Sequence, residues 1–227
     1  MKKIQSKIRK TKKEDLLDSK KLHRLIVDIG FSDRRLDQQP KHLHKYAKEL
    51  APWQTPRQLT KLILFLADYK IKSYLEIGAY RCGTFLVLTE IFNKLNGLDY
   101  ALAIDPNKNK YQEELSELSK DINRELKNMK SADSSLIKEL GDRRFDLILV
   151  DGDHCRGAVV RDFELYRKKG DILLFHDISS VCKDSWKDIK GLAKNDFDIY
   201  EIVDQYKTVK KNWFGFGILV KKGENER

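Results

Sequence analysis

The chain is predicted to fold as an α/β domain: an open, doubly wound, mostly parallel sheet with helices on both faces, a C-terminal antiparallel hairpin, and extra helices in front. Three observations carry this prediction. Short unbroken apolar runs recur from Tyr74 to Val220, as buried parallel strands require. Helical segments separate most of them, which implies parallel crossovers. The last two runs have no helix between them and so should pair antiparallel. At 227 residues the chain can bury roughly 70–75% of its unfolded surface and needs no disulfide staples.

Taken in order, the elements read as follows. Glu14–Ile29 carries Leu16, Leu17, Leu22, Leu25, Ile26 and Ile29 at helical spacing, and Gly30 is its stop. Pro40 precedes a short helical stretch around His42–Leu50, and Pro52 and Pro56 bracket a turn at Trp53-Gln54-Thr55. Thr55 then caps a helix with Pro56 at its first position, running to about Tyr69. Tyr74–Ile77 is a strand ending at Gly78, followed by a helix over Gly83–Leu95. Ala101–Ile104 is a strand ending at Asp105. Lys108–Lys130 is highly charged and reads as mostly helical; the alternation demands a further strand near Met129–Ala132. Phe145–Val150 ends at Asp151 and leads to a helix over Cys155–Lys169. Asp171–Phe175 ends at His176-Asp177 and leads to a helix over Ser180–Lys194. Phe197–Val203 and Trp213–Val220 form the hairpin.

Charge divides the chain at about residue 54, into a basic arm with helices (1–54) and an α/β domain (55–227). Of the net charge of +10, residues 1–50 hold 15 Lys/Arg against 7 Asp/Glu, so the remainder is nearly neutral. The first thirteen residues contain seven Lys/Arg and no acid. A solvated, frayed tail is the expectation for such a block; contact with nucleic acid or an anionic membrane surface is the functional alternative. No aromatic residue occurs before Phe31, so the stacking platform of a single-strand binder is missing there. The longest clean apolar run, Leu62–Ala67, is far short of the ~20 residues that span a bilayer. Cys82, Cys155 and Cys182 lie far apart with no Cys-x-x-Cys, which excludes a disulfide framework and a thiolate zinc site. A reducing, cytoplasmic setting is expected.

The chemistry gathers at strand ends, where ligands of open α/β sheets bind. Four strands finish in Glu76/Gly78, Asp105, Asp151/Asp153 and His176/Asp177. In Leu75-Glu76-Ile77-Gly78-Ala79-Tyr80-Arg81-Cys82-Gly83 the two glycines stand five apart, so neither the Gly-x-Gly-x-x-Gly fingerprint nor a P-loop is met. Asp105 lies 29 residues after Glu76, where an acid can accept both hydroxyls of a ribose. Glu76 before the turn repels a pyrophosphate but suits the ammonium of a methionine moiety, which favours S-adenosylmethionine over a dinucleotide.

These segments, together with Ala132-Asp133-Ser134, Phe145-Asp-Leu-Ile-Leu-Val-Asp151-Gly-Asp153-His154 and Leu173-Leu-Phe-His176-Asp177, resemble class I S-adenosylmethionine-dependent methyltransferases. More narrowly they are similar to the metal-dependent O-methyltransferases of sugars and small natural products, over roughly residues 55–221. The resemblance implies a Rossmann-like, seven-stranded sheet. By it, Glu76, Gly78, Ala79 and Gly83 hold the methionine end of the donor, Asp105 the ribose, and Asp133 and Ser134 the adenine. Asp151, which also borders the donor, would ligate a divalent ion (Mg²⁺ or Mn²⁺) with His176 and Asp177. Asp153 or His154 would be the general base.

The acceptor's neutral hydroxyl is the weak partner in such a reaction, since the sulfonium methyl is already on a good leaving group. A cation would lower the hydroxyl's pKa and orient it. Trp53, Gln54 and Arg57 are expected to help shape the acceptor pocket, with the front helices as cap or homo-oligomer contact. His23, His42 and His44 read as surface residues, and Cys155 beside His154 lacks a third partner for thiol catalysis. Two alternatives stay open: a nucleic-acid methyltransferase using the basic arm, and a non-catalytic S-adenosyl-binding protein. Against the first, Asp151-Gly-Asp-His stands where exocyclic-amine enzymes carry Asn/Asp-Pro-Pro-Tyr.

Overall fold

A computed structural model describes residues 1–31, 54–108, 110–118, 121–204 and 214–223. The expected helix around His42–Leu50, the turn residues Pro52 and Trp53, and Trp213 lie outside the described residues.

The helices and strands are α1 (Lys2–Lys10), α2 (Lys13–Leu17), α3 (Ser19–Asp28), α4 (Pro56–Leu66), β1 (Ser73–Ile77), α5 (Gly83–Asn96), β2 (Tyr100–Ile104), α6 (Lys110–Ser116), β3 (Asn123–Lys127), α7 (Ser134–Leu140), β4 (Phe145–Val150), α8 (Arg156–Tyr166), β5 (Gly170–His176), α9 (Lys183–Ala193), β6 (Phe197–Ile202) and β7 (Phe216–Lys221). The seven strands form one sheet in the order β3-β2-β1-β4-β5-β7-β6. The first five pair in parallel, and β7 is antiparallel to both β5 and β6. This is the doubly wound, Rossmann-like sheet with a terminal hairpin that the sequence predicts.

Two apolar layers flank the sheet. One gathers α1 to α6, with Ile4, Ile8, Leu62, Phe85 and Phe92 in its core. The other gathers α7, α8 and α9 around Phe163, Tyr166, Phe175 and Trp186. α5 is buried on almost every side, because the sheet lies under it and α1 and α2 lie over it. That explains its nearly continuous apolar sequence.

Three expectations are corrected here. The basic arm is not a frayed tail at its start. Met1, Ile4 and Ile8 are buried, and Arg9 Nε donates to the buried Glu90 carboxylate at 2.7 Å. Arg124 and Gln5 donate to the same Glu90, so one buried acid ties the arm to α5 and β3. Its desolvation is offset by these charge-assisted bonds. The helix expected over Glu14–Ile29 is broken at Asp18, whose carboxylate caps α3 by accepting from the Lys20 and Lys21 N–H groups. Finally, β3 lies at Asn123–Lys127, inside the stretch read as helical and upstream of the strand expected near Met129–Ala132. Among the described residues it is an edge strand paired with β2 alone and partly exposed, so its polar side chains satisfy their half-wet position.

Among the described residues no helix is long and apolar enough to cross a membrane.

Candidate active site

The strand order reverses direction between β1 and β4, and the crevice beyond the carboxyl ends of those strands is where such folds bind ligands. A cleft of about 960 Å³ opens there, within the range of small-molecule sites. Its floor begins with Gly78, whose φ is +89° and where a β-carbon would lie 2.2 Å from the Asp151 carbonyl oxygen. Only glycine lets the β1 turn press against the end of β4 in this way.

Glu76, at 2% exposure, sits just below that turn. Its carboxylate accepts from the Tyr74 hydroxyl. Burial is the main cause that pushes its pKa up to about 8, with Asp151 and Asp105 adding to the shift and Tyr74 and the Phe85 N–H opposing it. Ala79, Gly83 and Thr84 continue the same wall. Asp105, at the end of β2, is held by two backbone donors: Tyr80 N–H at 2.7 Å and Asn107 N–H at 2.8 Å. A carboxylate has about four acceptor positions, so it keeps capacity for a ligand.

The loop after β3 lines the cleft with Met129, Lys130 and Ser131. Asp133 and Ser134 do not line it; both are exposed. The Asp133 carboxylate accepts from Ser135 N–H at 3.0 Å and Ser135 Oγ at 2.7 Å as the N-cap of α7. The strand ends earlier than expected, so residues two to four positions upstream take the rim. Ser131 is fixed from behind: its Oγ donates to the buried Asp162 at 2.7 Å, and its carbonyl accepts from Tyr166 Oη at 2.7 Å.

The ends of β4 and β5 form the other wall. Asp151 Oδ1 lies 3.2 Å from His176 Nδ1 and 3.5 Å from His154 Nε2. Asp177 Oδ2 lies 3.6 Å from each of the same two nitrogens. The other oxygen of each carboxylate is taken: Gln54 Nε2 donates to Asp151 Oδ2 at 2.9 Å, and Ser180 Oγ donates to Asp177 Oδ1 at 3.0 Å. Burial works to raise the Asp151 carboxyl, but the imidazoles of His176 and His154 outweigh it and hold it at about 2. His154 is raised, chiefly by its contact with Asp151. In His176 burial opposes the charged form, yet Asp151 and Asp177 still raise it. Asp177 has φ +62°, a left-handed conformation that Asp tolerates better than most residues.

Ligand atoms of Asp151, His176 and Asp177 all lie within 4.8 Å of one another. Two donors on one ion, with bonds of about 2.0–2.2 Å, stand roughly 3–3.5 Å apart. The 3.2 and 3.6 Å separations of His176 Nδ1 from the two carboxylates are close to that spacing, and one imidazole among oxygens suits Mn²⁺ and its neighbours as well as Mg²⁺. Among the described residues His176 Nε2 is buried without a partner, the cost of turning Nδ1 toward the carboxylates.

Asp153 also lines the cleft, but it is exposed and its Oδ1 accepts from Cys155 N–H at 3.0 Å, which lowers its pKa. His154 is thus the better base of the expected two. Gln54 reaches the cleft, whereas Arg57 does not line it. The thiols offer no activated nucleophile: burial pushes Cys82 and Cys182 up, and Asp153 raises Cys155. Sequence reasoning did not single out Tyr74, Thr84, Ser180 or Phe214. Only Tyr74 left a signal, since it stands two residues from Glu76 and so shares its strand face.

Residues 75–178 match the model of a family described as a methyltransferase domain. No curated protein matches the sequence. Solved structures share the fold. An O-methyltransferase from Bacillus cereus in complex with SAH is 13% identical, covers 88% of this chain and 96% of its own, and has a TM-score of 0.56. The O-methyltransferase TomG from Streptomyces achromogenes, involved in tomaymycin synthesis and solved with SAM, is 11% identical over 82% of this chain and 92% of its own, with a TM-score of 0.54. A rRNA methylase from Streptococcus thermophilus is 14% identical over 73% and 96%, with a TM-score of 0.54. The matched residues 75–178 carry β1 to β5 and the cleft at their ends, so the part of this chain that is similar to a methyltransferase domain is the part that builds the site.

Proposed function

We propose that the enzyme methylates a hydroxyl of a small molecule or sugar with the help of a divalent cation. The observation that carries this reading is the cluster of Asp151, His154, His176 and Asp177 at one corner of the cleft. Glu76 and the Gly78 turn hold the methionine end of the donor, and Asp105 accepts from the ribose hydroxyls. Met129, Lys130 and Ser131 border the adenine in place of Asp133 and Ser134. Asp151 and Asp177, with His176 Nδ1, would hold the cation, which when bound supplies charge that lowers the pKa of an acceptor hydroxyl. His154, half-exposed beside these carboxylates, takes the hydroxyl proton on Nε2 as the methyl is transferred. Asp151 and Asp177 fix the direction of that ring.

A small acceptor suits this cleft better than a nucleic acid. The acids Asp105, Asp151, Asp153 and Asp177 outnumber the cations Arg81, Lys130 and Arg161 on its lining, a balance that does not favour a polyanion. Tyr80 and Val181, 46% and 65% exposed, put apolar surface at its mouth. The net charge of +10 favours RNA as the second reading. The test is methyl transfer from labelled donor to a panel of phenols, sugars and RNA, with and without chelator. Transfer to a small hydroxyl that is lost in chelator and in the Asp151→Asn/Asp177→Asn double variant is expected. Undiminished transfer in chelator refutes the cation; transfer to RNA alone, with a steep salt dependence, refutes the small acceptor.

A further inference from the structure

The start of α4 carries two buried glutamines, Gln54 and Gln58, exposed to only 2% and 0%. Buried amides are costly unless their hydrogen bonds are made, and both ends of each are engaged here. Gln54 Nε2 donates to Asp151 Oδ2 at 2.9 Å, while its Oε1 accepts from Thr84 Oγ1 at 2.6 Å. Gln58 Nε2 donates to the Asp204 carbonyl at 3.2 Å, while its Oε1 accepts from Gly215 N–H at 3.0 Å. Gly215 has φ +90°, and it follows Phe214, whose ring stacks on His176 at 5.5 Å between centroids and 14° between planes. One amide therefore grips Asp151, and the other grips the turn that lays an aromatic face on His176.

The helix is built to hold this bracket still. Thr55 caps it by accepting from Gln58 N–H, Pro56 occupies its first position, and Thr60 Oγ1 donates to the Pro56 carbonyl at 2.6 Å. Because Gln54 takes Oδ2, Asp151 is left with Oδ1 toward His176 and His154. Thr84, in the first turn of α5, ties the same amide to the wall that carries Gly83.

We propose that Gln54 and Gln58 are positioning residues, through which the first turn of α4 presets the Asp151–His176 pair. This rests on the reading that the pair serves the reaction. Neither glutamine touches the transferred group; each acts through a neighbour, as partners behind metal-binding and catalytic side chains do.

The test uses the full chain with SAH bound. Mn²⁺ affinity is read from the free-ion electron-spin resonance, and the His176 ring nitrogens from imidazole NMR. Gln54→Met keeps the volume and removes the donor. It is expected to weaken Mn²⁺ binding about tenfold or more and to move the His176 nitrogen signals. In an Asp151→Asn background the same change should move those signals no further. Gln58→Met should shift the His176 signals through Phe214. Mn²⁺ affinity and His176 signals both unchanged in Gln54→Met overturn the inference. If the parent protein binds SAH but no Mn²⁺, the cation reading fails separately, and the His176 signals alone decide the positioning role: shifted signals uphold it and unchanged ones overturn it.

Discussion

Donor binding should expel a proton from Glu76. The carboxyl is buried beside Tyr74, and burial pushes its pKa from 4.5 up to about 8. At pH 7 only about one molecule in ten then carries the ionised form, and ionising it there costs about 1.4 kcal/mol. The donor's ammonium needs that charge, and an α-amino group stays protonated until about pH 7.7–8.0. Affinity for S-adenosylmethionine should therefore fall about tenfold for each unit of pH below 7 and level off near 8. The same shift acts on stability. The native state keeps a proton that the unfolded chain loses, so this group's contribution is fully present below about pH 4.5 and declines as pH rises to about 8. Titration calorimetry at pH 7, in buffers of different ionisation enthalpy, should show close to one proton released per donor bound. Glu76→Gln should release none and lose the slope. Pairing without proton release in the parent protein, or an unchanged slope in the variant, refutes the assignment.

Other outcomes follow from the same geometry. Asp105→Ala should weaken donor binding roughly tenfold to a hundredfold in calorimetry, since charge-assisted hydrogen bonds are worth about 1.5–3 kcal/mol; unchanged affinity removes Asp105 from the ribose role. kcat/KM should fall on the acid side as the His154 imidazole takes up a proton, and His154→Gln should abolish that limb. Asp151, held at about 2, contributes no limb in the working range. Arg9→Ala leaves the buried Glu90 with fewer partners and should lower stability by about 1–3 kcal/mol, read as a lower denaturant midpoint; a variant that unfolds with the parent's midpoint would mean that α1 docks by its isoleucines alone.

What could be read ahead of the structure was set by how local each signal is. Glu76, Asp105, Asp151 and Asp177 end strands whose apolar runs declare themselves within six or seven residues, so their shared rim followed from alternation alone. β3 escaped because an edge strand with one wet face reads like a charged helix. Asp133 misled because a good cap residue and a good ligand are the same side chain, and only the true end of β3 separates the two uses. The docking of α1 was hidden by seven cations, although Ile4 and Ile8 already stood one helical turn apart. Gln54 was suspected near the acceptor, but its partner Asp151 lies 97 residues away, and no local pattern encodes that meeting.

The close seating of Gly78 on the Asp151 backbone also bears on redesign. Two loops that begin on different strands are interlocked there, and neither can be exchanged alone. Grafting a foreign β4 loop to retarget the enzyme would have to import the matching glycine turn along with it, or the newcomer would wedge the cofactor cradle open.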